Sequence, residues 1–217
     1  MNHNIRTWIM RGALLALASV APNTFPLSLM GYGSLHSLAV TLLLAAAVAL
    51  AVAWGLSTRM SPVVAALVWR GALAGATATL ALEAVRYPGF RLGFMPGNLP
   101  QLMGVLLLDR FALGPSPLSD LAGFAYHFWN GASFGIVFVL LAAGRSRWWA
   151  IPFGIAVGVG FLASPVVLAL GVGPFGRDFG WQFAATVLTA HVAFGLALGA
   201  LLPEALGQSV PLEPKGK

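Results

Sequence analysis

Cysteine is absent from the 217-residue chain. Its absence excludes disulfide bonds, thiolate nucleophiles and metal sites with cysteine ligands. Charged residues are also scarce, since they make up 8% of the chain, against roughly 25% in an average soluble domain. With 59% hydrophobic residues, so few charges cannot cover the surface of a globular protein in water. The composition therefore predicts an integral membrane protein.

The sequence also lacks the short motifs that mark common enzyme classes. It contains no HExxH zinc motif, no P-loop, no GxGxxG followed by a strand pattern and no recognisable Ser-His-Asp arrangement. The net charge is +6, but the basic residues stand singly rather than in runs, which argues against nucleic-acid binding. Catalysis is therefore not supported, although a lipid-modifying enzyme that uses Glu83 and His127 is left as an alternative.

Six apolar segments are long enough to cross a bilayer, for which about 20 residues are needed. Composition and flanking residues place them at about residues 7–30, 35–57, 62–85, 119–143, 149–172 and 181–202. The apolar stretch 101–113 is shorter and is predicted to be a re-entrant or interfacial helix, with Asn98 as its N-cap and Pro100 in its first turn. The polar tail 203–217 is predicted to be mobile. The expected fold is one all-α membrane domain over residues 1–217, a polytopic transmembrane helix bundle of six spans, with seven spans as the alternative.

Arginine and lysine are distributed unevenly between the two ends of these spans. If residues 101–113 do not cross, one side holds Arg6, Arg11, Arg59, Arg145, Arg147, Lys215 and Lys217. On the other side, aspartates offset the arginines. By the positive-inside rule both termini are predicted to be cytoplasmic, in a bacterial inner membrane. The N-terminal segment has features of a signal peptide and is predicted to be retained as the first span.

Two of the predicted spans carry the same histidine–glycine pattern. In each, a histidine is followed by glycines four and eight residues later: His127, Gly131 and Gly135 in one, His191, Gly195 and Gly199 in the other. Residues four apart share a helix face, so each helix presents an imidazole beside a groove of two glycines. Small residues are enriched where helices pack in membranes. The six glycine and histidine positions therefore predict two helix-packing faces.

The third span carries a comparable face. Gly71, Gly75, Thr79 and Glu83 recur every four residues, so this face is small at one end and acidic at the other. Because Gly71 and Gly75 are expected to pack against other helices, Glu83 is expected to turn toward the bundle as well.

These patterns converge on one candidate site. Glu83, His127 and His191 all fall in the outer half of the membrane under the six-span topology, and ionisable groups inside a bilayer usually face the protein interior. We predict that they point into an outward-opening polar pocket with Asn130, and that Arg86 lies near its rim.

From Arg70 to Leu202 the chain resembles a group of bacterial multi-pass membrane proteins to which no activity is assigned. The residues that carry the resemblance are the small-residue helix that begins at Gly71, Met95-Pro96 before a short apolar helix, and the two His-x-x-x-Gly-x-x-x-Gly helices. The resemblance implies a helical bundle and no particular chemistry.

Three functions are compatible with these features, beside a purely structural role in which the histidines and glycines only hold helices together. The favoured expectation is a non-catalytic subunit or assembly factor of a larger membrane complex, with the lipid bilayer and other subunits or a second copy as partners. The second is a transporter of small solutes or protons that uses the Glu83 and histidine pocket. The third is a tetrapyrrole-binding protein, with His127 and His191 as axial ligands of a haem or similar group. No cofactor is the favoured expectation.

Overall fold

The computed structural model describes residues 3–204, with side chains from residue 5 onward. This part of the chain is helical and contains no β-strand. Six of its helices are long and apolar enough to cross a membrane: Ile5–Leu29, Leu35–Met60, Pro62–Arg91, Pro117–Leu141, Arg147–Ala169 and Trp181–Leu201. The predicted all-α fold with six long helices is confirmed. The predicted mobile tail lies outside the described residues from residue 205 onward.

Some of the six long helices consist of shorter helical pieces. In chain order the pieces are α1 (His3–Leu29), α2 (Leu35–Leu38), α3 (Leu44–Met60), α4 (Pro62–Arg91), α5 (Leu99–Leu107), α6 (Pro117–Leu141), α7 (Ala150–Leu162), α8 (Pro165–Ala169) and α9 (Trp181–Leu201). A π-helical turn, Ala39–Leu43, joins α2 to α3 without a break. The break between α7 and α8 falls just before Pro165, because proline at the start of a helix cannot donate a hydrogen bond to the preceding turn.

The long helices alternate in direction. Arg11 near the start of α1 donates to Leu140 O near the end of α6, and the Tyr126 hydroxyl near the start of α6 donates to Ala21 O in the later part of α1. Glycine contacts make α4 antiparallel to α6, and α7 antiparallel to α9. Both ends of the described chain therefore lie at one end of the bundle, here called the terminal end. The loops after α1, α4 and α8 lie at the opposite end.

The segment between α4 and α6 leaves and re-enters the bundle at the opposite end. Its helix α5 has nine residues, or about 14 Å at 1.5 Å per residue, which is about half of a bilayer core of roughly 30 Å. α5 packs on the first turns of α6, where a Cβ on Gly104 would meet Ser119 O and a Cβ on Gly123 would meet Pro100 O. The helix in this segment is therefore too short to cross the bilayer as a seventh span.

Two predicted boundaries in this region are wrong. α4 does not end near Val85 but continues to Arg91, with Pro88 inside its last turn. A proline there removes only one hydrogen bond, and the turn is still closed by a bond from Leu92 N to Pro88 O of 2.9 Å. The short helix ends at Leu107, because Asp109 has a φ of 52°, a left-handed conformation that cannot continue an α-helix.

α4 and α6 are the most buried of the long helices, and α3 is the most peripheral. α4 packs against α6 on one side and α9 on another, whereas α3 contacts only α1 and α4 extensively. In the central window of the α4 helix 50% of residues are buried, against 11% in Leu35–Met60. The candidate site therefore forms around α4.

Candidate functional site

Glu83 and Arg86, one turn apart on α4, form a buried ion pair. Arg86 Nε donates to Glu83 Oε1 and Arg86 Nη2 donates to Glu83 Oε2, both at 2.6 Å. The Arg86 side chain is 6% exposed and that of Glu83 is 13% exposed. Two parallel hydrogen bonds of this kind fix the relative orientation of guanidinium and carboxylate.

Asn98, the residue before α5, is a third member of this cluster. It was expected to cap α5, but its side chain makes no capping hydrogen bond. Its Oδ1 instead accepts a hydrogen bond of 3.0 Å from Arg86 Nη2. The buried guanidinium thereby ties the end of α4 to the start of α5.

His127 of α6 approaches the same carboxylate. Its Nε2 lies 2.8 Å from Glu83 Oε1, although this nitrogen has no well-directed hydrogen bond among the described residues. The carboxylate already accepts two hydrogen bonds from Arg86 and is ionised in that pairing, so a contact this short requires a proton on Nε2. His127 therefore links α6 to the α4 ion pair.

A cavity of about 510 Å³ lies beside this cluster. Small-molecule sites typically measure roughly 300–1,000 Å³ and have mainly apolar walls with a few polar groups. The polar residues that line it are Asn23, Thr79, Arg86, His127, Asn130, Ser164 and His191. Most of the remaining wall is aliphatic or aromatic, including Phe25, Met103, Phe134, Phe161 and Phe194. Glu83 contacts Arg86 and His127 but is not itself part of the lining.

His191 of α9 lines the same cavity and is held differently from His127. Its Nδ1 lies 2.8 Å from Val187 O, one turn earlier. The ring of Phe161 stacks on the imidazole, with centroids 6.4 Å apart and 24° between the planes. A Cβ on Gly158 of α7 would lie 3.0 Å from the imidazole Cγ, so glycine at 158 makes room for this histidine.

The structure therefore brings both predicted histidines and Asn130 to one cavity. Arg86 was expected near the rim, but it is buried, at 5% exposed, because its guanidinium is bonded to two side chains at the closed side of the cavity. Sequence reasoning gave Asn98 only a capping role and did not connect Gly158 with the site. The four-residue spacing of Gly158 from Gly154 repeats the signal used for the other glycine faces, whereas nothing in the spacing of Asn98 indicates a bond to Arg86.

Two lining residues carry a buried polar atom that has no hydrogen-bond partner among the described residues. These atoms are Arg86 Nη1 and Asn130 Oδ1. They lie within the cavity wall, beneath its surface. A buried polar group left unpaired costs about 1–3 kcal/mol. A polar group placed in the cavity can recover part of this energy if the side chains shift slightly toward it.

The glycines of α4 and α6 form a close helix contact. A Cβ on Gly71 would lie 2.7 Å from Gly135 O, and a Cβ on Gly135 would lie 2.9 Å from Gly75 Cα. A Cβ on Gly131 would lie 2.9 Å from Gly75 O. Real Cβ atoms do not approach backbone this closely, so all four positions need glycine at this separation.

The second pair of predicted packing glycines contacts α7 and the turn before it. A Cβ on Gly195 would lie 2.5 Å from Ala150 O, and one on Gly199 would lie 3.2 Å from Arg147 O. The two glycine grooves therefore do not face each other. One packs on α4 and the other on α7, and the two histidines meet the same cavity from separate helix pairs.

These contacts bear on the tetrapyrrole hypothesis. One ring nitrogen of each histidine is in contact, His127 Nε2 with Glu83 and His191 Nδ1 with Val187 O, and the other nitrogen of each ring is the one that could serve as an axial ligand. The described residues contain no group of three or more histidine, aspartate and glutamate side chains arranged to hold a metal ion. The tetrapyrrole hypothesis, which needs two histidines and not three ligands, stays a prediction.

Comparison of the chain with protein-family models, with curated proteins and with solved structures gave no match. The resemblance of residues 70–202 to bacterial multi-pass proteins stays a prediction. The function is therefore argued from the cavity and its lining residues.

Proposed function

We propose that the protein crosses the bacterial inner membrane six times and binds a small molecule in the central cavity, as a transport or carrier protein. The observation that supports this proposal is the apolar cavity of about 510 Å³ with Arg86, His127 and Asn130 in its wall. Apolar walls with a few polar groups are typical of sites that bind and orient small molecules. Ionisable residues inside a membrane commonly mark solute or proton pathways.

The distribution of charge supports the orientation. The arginines at the terminal end are Arg6, Arg11, Arg59, Arg145 and Arg147. By the positive-inside rule this end is cytoplasmic, and the Glu83–Arg86 end of the cavity then lies toward the outer face. Trp148, Trp149 and Trp181 are exposed near the ends of their helices, where tryptophan commonly anchors a protein at the interface.

This proposal corresponds to the transport alternative rather than to the favoured expectation of an accessory subunit. The accessory role remains a prediction that no contact among the described residues bears on. Stoichiometric partner chains that co-purify in mild detergent would support it.

The proposal is tested by identifying small molecules that co-purify with the wild-type protein and with Asn130→Leu. Leucine has the same branching at Cγ as asparagine and removes Oδ1, which is buried and has no hydrogen-bond partner among the described residues. We expect the variant to bind the co-purifying molecule about tenfold or more weakly, since one hydrogen bond to a buried group corresponds to ~1–3 kcal/mol. We expect its melting temperature to stay close to that of the wild type.

Ser133→Ala is the matched control, because Ser133 is buried at 1% exposed on the same helix and is not part of the cavity lining. This variant should retain the bound molecule. Unchanged binding in Asn130→Leu would show that the cavity wall does not recognise the molecule. A wild-type protein that retains no small molecule at all would count against a carrier function.

A further inference from the structure

The exposed residues of the cavity lining lie on or directly after two helices. They are Asn23 of α1, Met30 directly after α1, and Gly160 of α7, while the rest of the lining is buried or half-buried. α1 and α7 do not pack extensively on each other, since α1 contacts mainly α3 and α6, and α7 contacts mainly α9. A Cβ on Gly160 would meet no atom within 4 Å. The cavity therefore has its mouth between α1 and α7.

The end of the bundle above this mouth is closed. Val166 of α8 packs with Ala21 and Phe25 of α1. Met95 and Met103, which are 7% and 6% exposed, cover the cavity from the segment that contains α5. The mouth consequently opens to the side of the bundle rather than along its axis.

The position of the mouth along the helices places it within the apolar layer. Asn23 is six residues before the end of α1 at Leu29, and Gly160 is nine residues before the end of its span at Ala169. At 1.5 Å per residue these positions are about 9 Å and 14 Å below the helix ends. In the six-span arrangement the mouth faces the acyl chains of the outer leaflet.

The wall of the mouth on α1 contains two prolines. Pro22 and Pro26 lie one turn apart inside α1, and both line the cavity. Neither has an N–H group, so each removes a helical hydrogen bond from this turn. Helices bend most readily where such bonds are missing. This turn of the mouth is therefore held by fewer backbone hydrogen bonds than an ordinary helical turn.

We propose that the ligand enters from the membrane between α1 and α7, and that it is an uncharged, lipid-soluble molecule with a hydroxyl-bearing head group. This inference rests on the proposed binding function of the cavity. The charges of Glu83 and Arg86 cancel in their ion pair, so this pair leaves the cavity no net charge to balance a charged ligand. An unbalanced charge inside a membrane protein is costly. A hydroxyl group can accept from Arg86 Nη1 and donate to Asn130 Oδ1, a buried donor and a buried acceptor of the lining that have no hydrogen-bond partner among the described residues.

The test uses a long-chain alcohol with a photoreactive diazirine in its chain, added to the protein in liposomes. Mass spectrometry of the labelled peptides separates cavity residues, such as Met103 and Phe194, from the lipid-facing helix α3, which is the internal reference. In the wild type we expect the probe to label both the cavity residues and α3. In Gly160→Phe, the ring fills the mouth, and we expect cavity labelling relative to α3 to fall about tenfold or more, equivalent to ~1.4 kcal/mol.

Gly55→Phe is the matched control, because Gly55 is an exposed helical glycine on α3 with no atom within 4 Å of its Cβ position. It should leave cavity labelling unchanged, and both variants should melt like the wild type. Unchanged cavity labelling in Gly160→Phe would overturn the proposed entry route and leave cavity binding intact.

A second probe, with the same chain and a quaternary ammonium head, tests the ligand class. It should label α3 as the alcohol does and the cavity about tenfold less. Equal cavity labelling would overturn the inference that the ligand is uncharged. If neither probe labels the wild-type cavity while a small molecule still co-purifies with it, the lipid-soluble class is wrong and the binding function stands. If no molecule co-purifies either, the proposed function fails as well.

Discussion

Gly75 of α4 packs against Gly131 of α6 so closely that a Cβ on Gly75 would overlap the Gly131 carbonyl oxygen. Because these helices are antiparallel, Glu83, eight residues after Gly75, and His127, four residues before Gly131, lie on the same side of the contact. Their approach to 2.8 Å depends on the short separation that the glycines allow. The small-residue groove and the polar cluster are therefore two parts of one arrangement.

Replacing Gly135 with leucine should destabilise the protein by about 1–3 kcal/mol, the usual cost of overpacking. The new side chain would meet Gly71 O and, at 2.9 Å, Gly75 Cα, and backbone atoms cannot rotate out of its way. Thermal melting in detergent measures the change. Gly12→Leu is the control, since Gly12 is exposed on α1 and has no atom within 4 Å of its Cβ position; its effect should stay within roughly 0.5 kcal/mol. Equal melting of the two variants would show that α4 and α6 are not in close contact.

Glu83→Gln should be strongly destabilising, because it leaves the Arg86 guanidinium buried without its carboxylate. Removing one partner of a buried ion pair typically costs about 3–5 kcal/mol. The measurement is again thermal or denaturant unfolding in detergent. If the variant loses no more stability than an ordinary surface substitution does, Arg86 reaches water.

A double-mutant cycle separates the ion pair from other effects of the substitution. Arg86→Met alone should also be destabilising, but the double variant Glu83→Gln with Arg86→Met should be less destabilised than the sum of the two, since no uncompensated charge remains. Strict additivity would show that the two side chains do not interact. Arg177→Met is a suitable control, because Arg177 is exposed, with 72% of its side chain accessible.

The six long helices could be predicted from the sequence because the apolar run needed to cross a membrane is itself a strong signal. The ends of the helices were harder. The prolines and glycines of residues 86–100 predict that α4 ends near Val85. The helix nevertheless continues through Pro88, because a proline in the last turn removes only one hydrogen bond. Composition does not reveal whether a proline falls at a helix end or inside its final turn.

The candidate site was predictable only where the signal lies within one helix. Four-residue spacing correctly placed Gly75 and Glu83 on one face of α4, and the histidines beside their glycines. The bond between Arg86 and Asn98 and the place of Gly158 against His191 depend on which helices are neighbours. That information arises from the packing of the whole bundle, and in particular from α4 lying between α6 and α9.

Tyr126→Phe should destabilise the protein by roughly 0.6 kcal/mol, the average for side-chain hydrogen bonds between membrane helices, and by at most about 1.7 kcal/mol. The Tyr126 hydroxyl donates to Ala21 O at 2.7 Å and is the link between α6 and the proline-containing turn of α1. Tyr87→Phe is the control, because the Tyr87 hydroxyl is exposed and accepts only a long bond of 3.3 Å from Arg91. If the two variants unfold at the same temperature, the bond to α1 contributes nothing to stability.

Reporter fusions should place the segment that contains α5 on the outer side of the membrane. We expect a reporter after Leu113 to lie outside and reporters after Met60 and Lys217 to lie in the cytoplasm. The physical reason is that α4 and α6 are antiparallel and that nine residues of α5 cannot cross a core of roughly 30 Å. In a seven-span protein, an added crossing would put the reporters after Met60 and Lys217 on opposite sides of the membrane. If all three reporters are instead inverted, the six-span arrangement holds and the orientation inferred from the arginines is wrong.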